Sequence, residues 1–387
     1  MRVGLTGVVT SSLFSPLTLR SLTLRNRLWV SPLCQYSVTA ADGVPTDWHL
    51  VHLGSFARGG AGMVMAEATA VVPEGRISPH DTGIYTDEQA AAWSRVVDFI
   101  HSQGAAAGIQ LAHAGRKASV YPEWGELANG TSGSGTVPAE LGGWQSVSAS
   151  AIAFEGYAEP VALDEAGIRD VVVAFAESAR RSVDAGFDLV EVHAAHGYLL
   201  HQFLSPLSNT RDDQWGGSLE NRARLLLDIV RAVRAEVDVP IMVRFSGSDW
   251  VDEAWLAEHG LADSGVRGWN EHDTATVAAW ALEAGADLFD ISSGGLVRAR
   301  ITAGPGYQVP FAETVRREGN VPVNAVGLIT EAAQAEKIVA TGQADAVMMG
   351  REFMRDPHAP LRFARELGVE VDGVPVGTPP QYNRAYR

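Results

Sequence analysis

The sequence predicts an α/β chain folded as a (β/α)8 TIM barrel, and three observations carry that prediction. Short apolar runs alternate with amphipathic stretches eight times, the order expected of a parallel sheet whose crossovers are helices. The amphipathic stretches open on a capping residue or proline, and several close on glycine, at Gly104, Gly186, Gly285, Gly319 and Gly342. A length of 387 residues holds the roughly 250 that such a barrel needs and leaves room for insertions. Eight units favour a closed barrel over an open, doubly wound sheet.

Taken in order, the predicted strands are 29–33, 62–69, 105–113, 189–196, 240–246, 288–293, 321–327 and 346–351. The predicted helices include Asp87–Ser102, 164–185, 218–237, 274–284, 311–318 and 331–341. Residues 1–13 read as a loose leader: the apolar stretch is short, broken by Gly4 and Gly7, and followed by no clear cleavage site. Residues 14–387 then form one domain. Two stretches break the rhythm. Residues 119–150 are rich in Gly, Ser, Pro and Trp, and residues 252–272 are charged and glycine-bearing. Both follow barrel strands, so both belong over the C-terminal mouth, where βα loops build active sites. Within the first, residues 130–135 read as an unstructured surface loop.

Composition narrows the partners. Thirty basic residues against 46 acidic ones leave a net charge of −16, which disfavours nucleic acid and anionic membranes. No apolar run reaches the ~18 residues of a membrane span. A single cysteine, Cys34, rules out an internal disulfide and any four-cysteine zinc or iron–sulfur site, and fits a reducing cytoplasm.

Strand periodicity sorts the side chains by face. With Val190 and Val192 outward, Glu191 and His193 point into the barrel. With Ile241, Val243 and Phe245 outward, Met242, Arg244 and Ser246 point inward, and Gln110 does the same between Ile109 and Leu111. Barrel interiors are normally filled by branched apolar residues, and buried polar groups cost several kcal/mol unless paired. Two readings follow. Glu191 and Arg244 form a buried ion pair, or the set receives a polar planar ligand; an isoalloxazine edge, with acceptors and one donor, wants such groups. His193 and His196, three apart, face the same way only if the strand ends or bulges around Ala194–Ala195. Convergent imidazole N–H groups make a clamp for a carbonyl oxygen. A zinc-protease site would need helical histidines four apart with a glutamate between, and this is a strand end, so metal is disfavoured. Tyr198, protonated at neutral pH, is a candidate acid. Gly327, Gly350 and Arg351 stand after the last two strands, where these barrels often bind phosphate.

These residues resemble the Old Yellow Enzyme family, in its bacterial thermophilic-type branch of ene-reductases and xenobiotic reductases. The matching segments span residues 14–387. They include SPLCQYS from Ser31, IQLAHAGRKA from Ile109, EVHAAHGYLLHQFLSPLSNTR from Glu191, VRFSGSD from Val243 and MGREFMRDP from Met349. The resemblance implies non-covalent FMN, with NADPH (or NADH) as reductant and an activated alkene as substrate. It implies that Ser31, Pro32, Leu33 and Cys34 lie along the flavin, with Cys34 near its reactive edge, and that Ala68, Gln110 and Arg244 contact the ring system. Gly327, Gly350 and Arg351 would hold the phosphate. His193 and His196 would bind the substrate carbonyl, Tyr36 would orient it, and Tyr198 would donate the proton. It also implies a homodimer or homotetramer in which Arg384 reaches a neighbour's site. The chain departs from the branch at Tyr386, where tryptophan is common, at Leu33 and Gln35, and in the longer 252–272 loop. The alternatives are a flavin oxidoreductase acting on other substrates, such as nitro compounds, and a ligand-binding barrel without turnover.

Overall fold

The computed structural model describes residues 11–386. Eight parallel strands close a barrel in chain order: β1 (Leu28–Val30), β2 (Met63–Ala70), β3 (Ala106–Ala112), β4 (Leu189–Ala194), β5 (Ile241–Ser246), β6 (Leu288–Ser292), β7 (Val323–Ala325) and β8 (Ala346–Met349), with β8 pairing back onto β1. Each is followed by a helix: α1 (Asp47–Arg58), α2 (Asp87–Ser102), α3 (Glu165–Asp184), α4 (Leu219–Glu236), α5 (Glu271–Ala284), α6 (Val309–Gly319), α7 (Ala332–Ala340) and α8 (Ala359–Glu366). Side chains start most of them. Thr46 and Thr86 close capping boxes on α1 and α2, and Asp164, Ser218 and Asn270 cap α3, α4 and α5.

The predicted strands are present, and six of the eight end earlier at the mouth; β2 runs one residue further and β5 ends as predicted. Pro32 has no N–H to continue β1, His196 turns left-handed at φ 58° after β4, and Gly327 adopts φ 123° after β7. Helix α5 begins at Glu271 rather than at 274, because the Asn270 side chain accepts the N–H groups of His272 and Asp273.

Two apolar layers follow from strand alternation. Outward residues such as Val190, Val192, Val243 and Phe245 pack beneath the helices. Inward residues at the N-terminal pole, Trp29, Met63, Met65, Leu189, Met242 and Met348, fill the barrel, and Leu19 and Leu24 from a preceding hairpin (Leu17–Leu19 with Leu22–Leu24) pack onto them. The lower pole is therefore closed and the polar residues gather at the upper one.

Of the leader, residues 1–10 lie outside the described residues. Ser11, Ser12 and Leu13 are tied to Glu336 of α7 by hydrogen bonds of 2.6–3.0 Å, and Leu13 is fully buried. In the first mouth loop, residues 130–135 are not an unstructured stretch. They form the tip of an irregular hairpin closed by Leu127 N–H to Thr131 O (2.9 Å) and Gly133 N–H to Gly125 O (2.8 Å). The second loop carries a short helix, Glu253–Glu258, capped by Asp252. No helix among the described residues is long and apolar enough to cross a membrane.

Candidate active site

A polar layer crosses the upper barrel, set by strand register. Gln110 on β3 lies opposite Glu191 on β4 and donates to it at 2.7 Å. Arg244 on β5 lies opposite Asp290 on β6, with Nε 2.9 Å from Oδ2, and Asn324 on β7 donates to the other Asp290 oxygen at 2.7 Å. The ion pair expected between Glu191 and Arg244 is therefore not made. Glu191 is level with Met242, one step below Arg244, whereas Asp290 is level with Arg244. Burial, reinforced by the Asp290 charge, pushes the Glu191 carboxyl upward. Asp290 had an available signal, since it sits between outward Phe289 and Ile291, as Asn324 sits between Val323 and Ala325.

The end of β4 brings His193, His196 and Tyr198 together. The left-handed His196 folds the chain back, so that its ring centroid lies 5.2 Å from that of His193, which lies 5.1 Å from that of Tyr198. Each histidine ring is held by a further partner, and for His193 that partner sets the tautomer. Ala195 N–H donates to His193 Nδ1 at 3.3 Å, leaving Nε2 to carry the proton. His196 Nε2 is 2.8 Å from Ser292 Oγ. The other acceptor near that hydroxyl, Gln308 Oε1, is 3.4 Å away and already receives Ser293 Oγ at 2.7 Å. The short contact with Ser292 Oγ fixes the ring through Nε2, and Nδ1 is left with no hydrogen-bond partner among the described residues. Burial, then the Arg244 cation, holds both imidazoles well below the ordinary histidine range. Burial likewise holds the Tyr198 phenol well above its usual range, so two neutral N–H donors face a protonated acid.

The loop after β1 forms the next wall. Ser31 Oγ accepts from Arg244 Nη2 at 3.3 Å, and the backbone of Ala68 hydrogen-bonds the sulfur of Cys34. A bulge between Ala66 and Ala68 on β2 shapes that edge. Burial, then the charges of Asp81 and Glu67, raises the Cys34 thiol well above its ordinary value. Tyr36 is left-handed at φ 48°, and its ring meets Trp124 edge-on at 5.7 Å.

Twelve predicted residues line one cavity at the mouth: Ser31 to Cys34, Gln110, His193, His196, Tyr198, Arg244, Gly327, Gly350 and Arg351. Ala68 and Tyr36 pack in the apolar cluster beside it, with Cys34 and Tyr198. Arg384 lines no part of it. It is exposed, in a short 3-10 helix (Pro380–Ala385) whose Tyr382 ring packs near Arg58 and His358. Ser292, Tyr307 and Gln308 also line the cavity, and sequence reasoning missed them. Among the described residues, no group of three or more His, Cys, Asp or Glu gathers as a metal site.

A TIM barrel with a polar layer at its mouth, buried histidines and a tyrosine on one wall, and glycines and an arginine after its last two strands has the make-up of a cofactor-dependent oxidoreductase. The model of the NADH:flavin oxidoreductase / NADH oxidase family matches residues 12–370, and the chain belongs to that family, the Old Yellow Enzymes. The NADPH dehydrogenase of Listeria monocytogenes is 43% identical over 378 residues, 97% of this chain and 100% of that one. Morphinone reductase superposes with a TM-score of 0.73 at 30% identity, over 95% of this chain and 93% of that one. A morphinone reductase mutant in complex with tetrahydroNAD gives 0.71 at 29% identity, over 95% of this chain and 96% of that one. The chain is accordingly an NAD(P)H-dependent oxidoreductase that works with FMN.

The residues present fit that cofactor. A side chain at Gly327 would meet Gln308 at 2.8 Å and one at Gly350 would meet Leu33 at 3.0 Å, so both positions keep the backbone bare where a phosphate would approach. Arg351, at the start of a short helix, makes no ion pair among the described residues. Arg244 supplies a buried cation on the cavity wall, fixed by Asp290.

Proposed function

We propose that the protein is an ene-reductase that reduces the carbon–carbon double bond of α,β-unsaturated carbonyl compounds and related activated alkenes at the expense of NADPH. The convergence of His193, His196 and Tyr198 on one cavity wall carries this reading. FMN, when bound, supplies the two-electron carrier between the nicotinamide and the alkene. The protein's part is binding and proton supply. His193 Nε2–H and His196 Nδ1–H hold the carbonyl oxygen and stabilise the negative charge that grows there. Tyr198 donates its phenolic proton to the α-carbon, and Tyr36 packs beside it to orient the substrate. Ser31, Pro32, Leu33, Cys34, Ala68, Gln110 and Arg244 hold the ring system, and Gly327, Gly350 and Arg351 hold the phosphate.

NADPH as the reductant is supported by the relatives named NADPH dehydrogenase. A cytoplasmic location agrees with the lone cysteine. A homo-oligomer with Arg384 given in trans agrees with a second opening beside Cys34, lined by Gln35, Trp48, Glu123 and Trp124, which the chain's own tail does not line. The test is anaerobic. The purified protein should be yellow, and NADPH oxidation should depend on added cyclohexenone, with the saturated ketone as product. A yellow protein that oxidises NADPH but leaves cyclohexenone unchanged would overturn the alkene assignment.

A further inference from the structure

The turn that carries His196 and Tyr198 is held by side chains that have no part in the reaction as described. His196 N–H donates to Ser246 Oγ at 3.0 Å, and its carbonyl accepts from Lys117 Nζ at 2.8 Å. Gly197 O accepts from Gln202 Nε2 at 2.7 Å, and Gly197 N–H donates to His201 Nδ1 at 3.0 Å. Both residues are left-handed, at φ 58° and 73°, and any side chain at Gly197 would collide with the Gly295 carbonyl. The geometry is therefore uncommon and imposed by its surroundings.

His201 differs from the other three partners, whose second contacts are backbone carbonyls, because its own is a buried carboxylate. Its Nε2 faces Asp249 Oδ1 at 3.0 Å, and both side chains have no exposed surface. The approach lies off the ideal hydrogen-bond line, yet neither atom has another partner among the described residues. Asp249 is itself fixed, its Oδ2 accepting from Ser205 Oγ and Trp269 N–H, each at 2.8 Å. Gly197 N–H can donate to Nδ1 only if the His201 proton sits on Nε2, and the Asp249 carboxylate keeps it there. The line from Asp249 through His201 to Gly197 thus ends between the two proposed catalytic residues.

We propose that His201, oriented by Asp249, is a positioning residue: its tautomer fixes the Gly197 amide and so sets where His196 and Tyr198 meet the substrate. The inference rests on the roles given to His196 and Tyr198 above. Loss of the Nδ1 acceptor releases the turn. Loss of the Asp249 charge favours the other tautomer, whose Nδ1–H opposes the Gly197 N–H.

The test uses the full-length, FMN-loaded protein and three substitutions. In His201→Gln the amide reaches toward Asp249 but offers Gly197 no acceptor. In His201→Asn the amide oxygen takes the place of Nδ1. Asp249→Asn removes the charge that selects the tautomer. His201→Gln and Asp249→Asn are each expected to slow cyclohexenone reduction on the order of 10²-fold, as an ångström-scale misplacement does. The binding of p-hydroxybenzaldehyde, followed by flavin absorbance, should weaken about tenfold. His201→Asn should recover most of both losses, and the double variant His201→Gln/Asp249→Asn should be no worse than either single one, as expected for one coupled unit. Equal losses in His201→Gln and His201→Asn, or losses that multiply in the double variant, would overturn the proposal and leave His201 as packing. Should His201→Gln fail to fold, Asp249→Asn against His201→Asn still decides. The phenol titration needs no turnover, so a parent that reduces no alkene sinks the ene-reductase reading while the positioning role is still read from affinity.

Discussion

Tyr198 keeps its proton because burial opposes the phenolate, and the same burial keeps His193, His196 and Cys34 uncharged. The proposed site therefore works with neutral donors around the cation at Arg244. Tyr198→Phe should leave reduction of the flavin by NADPH at the parent rate while slowing cyclohexenone reduction by roughly 10²–10⁴. Stopped-flow traces in which both half-reactions slow equally would reject the role. Glu191 gives a different readout. Its folded pKa is raised above the usual 4.5, so below that value both folded and unfolded forms are protonated and nothing is lost. As pH rises, the unfolded carboxyl ionises freely while the buried one resists, and stability falls toward the raised value, by at most about 1.4 kcal/mol per pH unit. Glu191→Gln abolishes that loss, so its melting temperature relative to the parent should climb between about pH 5 and pH 8. A constant difference would mean that Glu191 stays ionised. Alternation alone pointed Gln110, Glu191, His193 and Arg244 inward. The partner of Arg244 escaped because the shear between strands, which sets Asp290 and not Glu191 at its level, is not written in any single strand.

At the level of elements, strand interiors were legible because burial on both faces makes each a short apolar run, and the period of two then assigns its side chains to a face. Their upper ends were not, because there a proline, a left-handed histidine and bare glycines compete with the ladder for the same backbone groups. Helix α5 shows the same competition at its start, where Asn270 outbids the apolar pattern. The hairpin Leu17–Leu24 was not foreseen: two three-residue strands carry too little pattern, and only its contact with the barrel floor gives it a purpose. Leu24 is 1% exposed in that floor. Leu24→Ala should cost about 2–5 kcal/mol of stability, as buried leucine truncations do. Because the floor lies at the pole opposite the mouth, kcat and KM for NADPH and cyclohexenone should not change. A kinetic change comparable to the loss of stability would show that the two poles are coupled.

For the molecule as a whole, the C-terminal tail is the segment whose purpose one chain does not reveal. Tyr382 and Tyr386 lie against Arg58 and Arg365 on the outer helices, while Arg384 is exposed and makes no ion pair among the described residues. Deleting residues 381–387 should leave a folded, yellow protein with weaker substrate binding or a smaller mass in solution. Native mass together with unchanged kinetics and ligand affinity would remove the tail from the site. The sealed floor has a further consequence for the order of events. With Leu19, Leu24 and the methionine layer stopping the lower end, whatever arrives at the cavity must enter, and leave, on the side of the mouth. On the proposed reading the nucleotide and the alkene take the same place above His193, His196 and Tyr198, so the first must depart before the second is admitted. The rate law becomes one of turns taken: reciprocal plots at several alkene concentrations should run parallel, and an excess of either visitor should bar the door to the other.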